Sequence, residues 1–396
     1  MSRKLAPPAC FDRSAPATAE ESRIDTPARS GGPQVPSALV TAGGFDSHVA
    51  GLRADLCSAT SVAAADRLVQ KRGRALWHDG VQRAQGRLRM GTIERYDDRP
   101  LYWARLMGAR DLRQWRPSFA VSGAARAGLL RTFDHASRGI TFRPREAAIE
   151  VLVSGFDPYR LDGETRRSNP SGASALQLDG VTFTAGHRTV RVHAVMLPVT
   201  WSGFDAGIVE DAFGPHLAAG AVDLIMTISQ GNRGAMTIEQ WAGAWRGGSP
   251  DNNAEGTPGP IPPAVGWPQP DPQPEFIETT LPHQAMIDAR TTPWPTRLNP
   301  QIREWAEGDR TTGPTPGGRA HSGGGGNYLS NESMYRSNRL RLALGATHVP
   351  GGHLHISALE YPADPRVIVD QAFAADRAHT VEQTIALVKA AGASLA

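Results

Sequence analysis

The chain has 396 residues, 40% of them hydrophobic, which is enough for two domains or for one domain with large additions. Its 42 basic and 39 acidic side chains nearly cancel to leave +3, and the arginines between Lys71 and Arg145 are mixed with Asp79, Glu94 and Asp111. This describes a solvated, salt-bridged surface; nucleic-acid binding would need a basic stripe with stacking aromatics, and a membrane span would need some eighteen consecutive apolar residues.

Residues 1–40 are rich in Pro, Ala, Ser and Thr and read as a flexible or loosely docked tail. The start, Met-Ser-Arg-Lys, resembles the basic end of a signal peptide. Ala6, Pro7 and Pro8 then lead straight to Cys10 and Asp12 with no apolar segment. A cytoplasmic location follows, with an exported form whose leader has been removed as the alternative. Cys10 and Cys57 are the two cysteines, expected as free thiols in preference to a disulfide tying the tail to a helix. Two thiols make no zinc cage.

Residues 41–146 carry Leu52, Leu56, Val62, Leu68, Val69 and Leu76 at roughly helical intervals, with Trp77, Trp103 and Trp115 as aromatic anchors. They read as a helical extension packed on the C-terminal two-thirds of the chain. From residue 147 the pattern changes. Ala148–Ser154, Thr189–Leu197 and Val222–Ser229 are short, β-branched and mostly apolar, and the stretch Phe204–Ala219 between them suits a helix. Strands alternating with helices predict an α/β fold whose sheet is covered on both faces. Residues 250–326 are dense in Pro and Gly and predict a long insertion rather than regular structure throughout. The chain ends on an amphipathic helix carrying Val381, Ile385, Val388, Ala391 and Leu395, with Thr380 as its expected cap.

Three segments offer chemistry. Gly155-Phe-Asp-Pro-Tyr159, followed by Asn169-Pro-Ser171, makes a tight turn at a strand's C-terminal end, where α/β sheets place ligands. Glu239, in Thr237-Ile-Glu239, is a carboxylate among apolar neighbours, of the kind that orients a histidine. Gly325-Gly-Asn-Tyr-Leu-Ser330 leads into a helix-compatible run and sets a hydroxyl at a helix N-terminus, where backbone N–H groups favour an oxyanion. His348 follows this helix. His348, His353 and His355 cluster in sequence, but within a Pro-Gly-Gly turn that is read as incidental rather than as a metal site. No metal or organic cofactor is expected.

Taken together, these segments resemble the pyroglutamyl peptidase I (pyrrolidone-carboxyl peptidase) family. Val151–Ser171 is similar to its opening strand and Gly-Phe-Glu-Pro-Phe…Asn-Pro-Ser pattern, and Leu197-Pro-Val199, Thr237-Ile-Glu239, Pro250-Asp-Asn252 and Thr279-Thr-Leu-Pro282 to further short signatures. Gly326-Asn-Tyr-Leu-Ser-Asn331 with Met334-Tyr335 is similar to its nucleophile motif and His348-Val-Pro350 to its histidine motif. The order is collinear over residues 148–396. The resemblance implies a three-layer α/β/α sandwich and a triad of Glu239, His348 and the residue at 330. It further implies a lactam pocket helped by Phe156, Tyr159, Asn169 and Gln230, and a substrate that is a peptide or amide with an N-terminal pyroglutamate. The activity implied is that of an omega-peptidase of a thiol protease family. Ser330 stands where that family has Cys, Glu332 where it has His, and Ser249 where it has its oxyanion arginine, which leaves Arg246 as the candidate for that role. The rival readings are an inactive homologue that binds pyroglutamyl ligands and a serine amidase or esterase of other specificity. No nucleic acid or membrane is expected as a partner; the oligomeric state stays open, a homo-oligomer among the alternatives.

Overall fold

A computed structural model describes residues 10–26 and 34–396 of the chain. The part of the expected tail at 1–9 and 27–33 lies outside the described residues. The rest of it is not loose. Phe11 pairs with Trp115 across a β-bridge, Arg13 reaches Asp111 at 2.6 Å, and Cys10 is disulfide-bonded to Cys57 with the Cα atoms 5.7 Å apart. The two sulfurs are therefore joined, against the expectation of free thiols.

Five helices come next: α1 (Val35–Gly43), α2 (Asp46–Ser58), α3 (Val62–Ala84), α4 (Arg99–Gln114) and α5 (Gly123–Ser137). Their apolar faces meet in one core containing Leu52, Leu56, Val69, Leu76, Trp103, Trp115 and Phe133, which also takes in Leu161, Leu176 and Met196 from beyond residue 146. Trp77 extends the junction, its indole N–H donating to Asp179 at 2.9 Å.

The remainder is a mixed α/β unit. Its strands are β1 (Ile149–Phe156), β2 (Thr182–Ala185), β3 (Arg188–Leu197), β4 (Leu224–Gln230), β5 (Met236–Glu239), β6 (Thr296–Asn299) and β7 (Gly351–Ile356), in the order β6-β5-β7-β4-β1-β3-β2. β7, β4, β1 and β3 are parallel; β5 runs antiparallel to β7 and β2 antiparallel to β3, and β6 runs parallel to β5. The parallel strands are buried along nearly their whole length, so β1, β3 and β4 read as mostly apolar runs, while β7 alternates His353 and His355 with Leu354 and Ile356. One face carries Val151, Val153 and Val192 against α6 (Pro170–Leu178) and the C-terminal helix α9 (Gln371–Ala393). The other carries Leu152, Val195 and Ile225 against α7 (Ile208–Ala218) and α8 (Leu329–Ala343).

Two local expectations change. α9 begins well before Thr380: Asp370 is its cap, accepting from Phe373 N at 2.8 Å, while Thr380 is fully buried mid-helix. The Pro/Gly-rich stretch supplies strand β6 and a three-stranded sheet of Ile302–Glu304, Gly308–Arg310 and Ala320–Ser322.

Candidate functional site

The sheet carries a polar stripe on the face that meets α8. Register sets Ser154 beside Thr227, Thr227 beside His353, His353 beside Glu239, and Glu239 beside Asn299. One step along, Ser229, His355 and Thr237 form a second row. Alternation along a strand is what puts residues 353 and 355, and 237 and 239, on the same side.

Glu239 is 1% exposed. Its carboxylate accepts three hydrogen bonds: from Thr237 Oγ1 at 2.7 Å, from Asn299 Nδ2 at 2.6 Å and from His355 Nδ1 at 2.8 Å. A carboxylate on Nδ1 selects the tautomer with the proton there and leaves Nε2 as an acceptor. His353 is held differently. Its ring lies between Thr227 Oγ1 at 2.7 Å and Ser229 Oγ at 2.8 Å, and burial pushes its pKa well below the usual range, so it stays neutral. It braces His355, the two rings meeting edge to face at 4.6 Å.

The histidine bonded to Glu239 is thus His355, and the structure does not bring His348 to this site. His348 is exposed in the turn between α8 and β7, whereas Ser330 lies in the first turn of α8. A 15-residue helix spans about 22 Å, so the two residues are at opposite ends of it. The alternation in Gly-Gly-His-Leu-His-Ile356 marks one polar side carrying both His353 and His355, and the pairing with β5 then selects His355.

Ser330 does not cap its helix. The N-cap is Tyr328, and the first intrahelical bond runs from Glu332 N to Tyr328 O at 3.0 Å, which leaves the N–H groups of Leu329, Ser330 and Asn331 without intrahelical acceptors. Asn331 locks this turn to Gly243, donating from Nδ2 at 2.9 Å and accepting at Oδ1 at 2.9 Å. Gly323–Gly326 is pressed into the space between. A Cβ on Gly324 would lie 2.4 Å from Glu239 Oε2, and one on Gly325 would lie 3.1 Å from His355 Cε1 and 3.5 Å from Asn331 N. The edge of the His355 ring and the start of α8 therefore face each other across one residue. Among the described residues the Ser330 hydroxyl and the His355 ring are not hydrogen-bonded to each other.

Ser330, His355 and Glu239 line a cleft of about 780 Å³ together with Phe156, Tyr159, Asn169, Gln230 and Ser249. The expected pocket residues are thus gathered in one place. Gln230 Nε2 donates to the Tyr159 hydroxyl at 3.2 Å. Asn169 caps α6 through Ser171 N at 3.1 Å and pins the preceding turn by donating to Asp157 O at 2.9 Å. Gly155 allows α6 to press on the end of β1, since a Cβ there would be 2.2 Å from Ser171 O. Arg246 is not among the lining residues. It is buried against Glu332, at 2.9 Å from Nε and 2.5 Å from Nη2, and against Asp205 at 2.7 Å, and Arg336 shares the same carboxylate of Glu332. Its charge is thus already matched by two carboxylates outside the cleft lining.

The turn after β1 is fixed from the N-terminal helices, a contribution not legible in the sequence. Asp157 is fully buried between Arg105 of α4 and Arg138, the latter at 2.6 Å. Glu20 accepts from Tyr102 Oη and from Asn252 Nδ2, each at 2.8 Å, and Asn252 Nδ2 also donates to Pro158 O at 2.8 Å. Among the described residues no cluster of His, Cys, Asp or Glu has the makings of a metal site, and no helix is long and apolar enough to cross a membrane.

A helical N-terminal unit that braces a largely parallel α/β unit, with a hydroxyl, an imidazole and a carboxylate on one cleft, defines the class of molecule. Residues 2–134 match a family described as PA0049 N-terminal domain, and residues 150–265 and 295–360 match PA0049, C-terminal domain. A relative from Pseudomonas aeruginosa PAO1, the uncharacterized protein PA0049, is 32% identical over 100% of this chain and 92% of its own length. The chain belongs to the PA0049 family. Of the Pro/Gly-rich stretch, residues 266–294 fall between the matched pieces.

Proposed function

We propose that the chain is a hydrolase of pyroglutamyl peptidase-like α/β/α architecture. It would cleave an amide after an N-terminal pyroglutamyl or similarly small cyclic acyl group, using Ser330, His355 and Glu239. The observation that carries this reading is the Glu239–His355 pair, buried on one side and open to the cleft on the other, facing a serine at a helix N-terminus. In this reading Ser330 Oγ attacks the carbonyl carbon and His355 Nε2 takes its proton. The N–H groups at the start of α8 receive the oxyanion, the amine leaves with the proton from His355, and water then hydrolyses the acyl-serine by the same route. A hydroxyl keeps its proton near neutral pH where a thiol readily loses it, so Ser330 depends on His355 throughout the attack.

The test is release of a chromogenic amine from a pyroglutamyl amide by the wild type, Ser330→Ala and Ser330→Cys, with labelling of Ser330 by a fluorophosphonate run in parallel. Turnover and labelling in the wild type, both lost in Ser330→Ala, support the serine hydrolase. A gain in Ser330→Cys over an inert wild type marks a cysteine site that lacks its thiol. Inertness of all three with retained pyroglutamate binding favours the ligand-binding homologue instead.

A further inference from the structure

The wall of the cleft nearest Tyr159 carries more positive charge than a neutral acyl group needs. Arg160, Arg167, Arg233 and Arg297 line the cleft against only two acids, Glu239 and Asp309. Arg233 is committed elsewhere, to Asp376 at 2.7 Å, and Glu239 to its three donors. Arg160, Arg167 and Arg297 have no carboxylate within 4.0 Å among the described residues, although the adjacent Arg166 is paired with Glu164 at 2.6 Å. The segments 1–9 and 27–33 contain no Asp or Glu that would complete them.

The pair on the acyl wall is the better placed for a ligand. Arg160 sits in the left-handed region at φ 58°, a conformation that costs a side-chain-bearing residue free energy and that recurs at ligand sites. Its guanidinium is 5.5 Å from the ring centre of Tyr159. Arg167 rests 5.4 Å from the Tyr361 ring, and its Nε is buried with no hydrogen-bond partner. Gln230 donates to Tyr159 while its own Oε1 is buried without a donor. A buried donor and a buried acceptor left unmatched on one cleft are groups that a ligand would complete.

We infer that the acyl part of the substrate carries a carboxylate, seated between Arg160 and Arg167, and an N–H directed at Gln230 Oε1. Planar guanidinium groups receive a carboxylate through paired, charge-assisted hydrogen bonds, which suits this anion better than a neutral lactam alone. The inference rests on the cleft being the substrate site and extends the acyl groups it accepts beyond pyroglutamyl, which has no free carboxylate of its own.

The test uses full-length protein and two probes that differ by one charge: the α-(4-nitroanilide) of N-acetylglutamic acid, which carries a free side-chain carboxylate and an acyl N–H, and its side-chain methyl ester. Binding to Ser330→Ala is measured by calorimetry, so that no turnover is needed. The acid should bind about tenfold more tightly than the ester, with the advantage shrinking as salt is raised. Arg160→Gln combined with Arg167→Gln should bring the acid down to the ester. Equal binding of the two probes, or binding of neither, overturns the carboxylate site. Charge discrimination in binding without turnover by the wild type supports the site and instead removes the hydrolase reading.

Discussion

Replacing Glu239 by Gln tests the arrangement with almost no change of shape. The carboxylate receives three donors, Thr237 Oγ1, Asn299 Nδ2 and His355 Nδ1, in a site 1% exposed. Glutamine brings one oxygen and an NH2 group to the same place. If its oxygen stays on His355, Asn299 Nδ2 faces another N–H, and a buried donor left unpaired costs about 1–3 kcal/mol. If the amide turns, its NH2 meets His355 Nδ1, which must then accept, so the imidazole proton moves to Nε2. That is the nitrogen required as the base, and a tautomer change of this kind lowers turnover by about 10⁴-fold. The assay is the rate of Ser330 labelling by a fluorophosphonate near neutral pH, with urea unfolding followed on the same samples. Labelling within about threefold of wild type would refute the role given to Glu239, since an effect that small leaves no room for a lost base.

Gly324→Ala places a Cβ 2.4 Å from Glu239 Oε2; we expect a loss of about 1–3 kcal/mol in unfolding free energy and impaired labelling, and an unaffected variant would mean the loop has room to spare. His355→Ala should slow labelling by on the order of 10²–10⁴-fold, whereas His348→Ala, at an exposed turn, should change stability by less than about 0.5 kcal/mol and leave the rate alone; the reverse pattern would restore His348 as the base. His193 gives a pH dependence. Burial, and Arg143 next to it, lower its pKa from 6.5 to about 4 in the folded chain. Above pH 6.5 it is neutral in both states, and as the pH falls from 6.5 toward 4 the unfolded chain takes up the proton first, so stability is lost on acidification. The loss is on the order of 3 kcal/mol at most across that window, because the Glu150 carboxylate 2.9 Å from Nε2 favours the charged ring. His193→Gln should flatten this part of the unfolding profile, and equal slopes for the two proteins would count against it.

Much of the architecture could be read from residue patterns because its signals are local. The runs 148–154, 189–197 and 222–229 correspond to β1, β3 and β4 with edges shifted by one or two residues. Glu239, Ser330 and the turn after β1 stand out by type and neighbourhood. His355 did not, because three histidines fall within eight residues and only the pairing of β7 with β5 shows which of them faces the carboxylate. The pairing of Arg246 was hidden for a similar reason. Its partner, Glu332, lies 86 positions away, so nothing nearby showed that its charge was already used. Strand β6 hid in a Pro-rich stretch, being four residues long and formed only by its place beside β5. The anchoring of the tail depends on Glu20, Asn252 and Tyr102 meeting in space, which no window of sequence contains.

The clamp on Asp157 and Asn252 has a consequence for the order of events during synthesis. Domains tend to fold as units, beginning with the N-terminal one as the chain leaves the ribosome. Here that unit holds Glu20, Tyr102, Arg105 and Arg138, the residues that grip the turn between Phe156 and Tyr159. The helices, whose core still awaits Leu161, Leu176 and Met196 when the first strand of the sheet emerges, would meet its turn as a partly formed seat. Asn252 arrives about a hundred residues later and completes the grip by bridging Glu20 to Pro158. Ser330 and His355 come last, so the wall of the cleft would stand before the groups that give it reactivity.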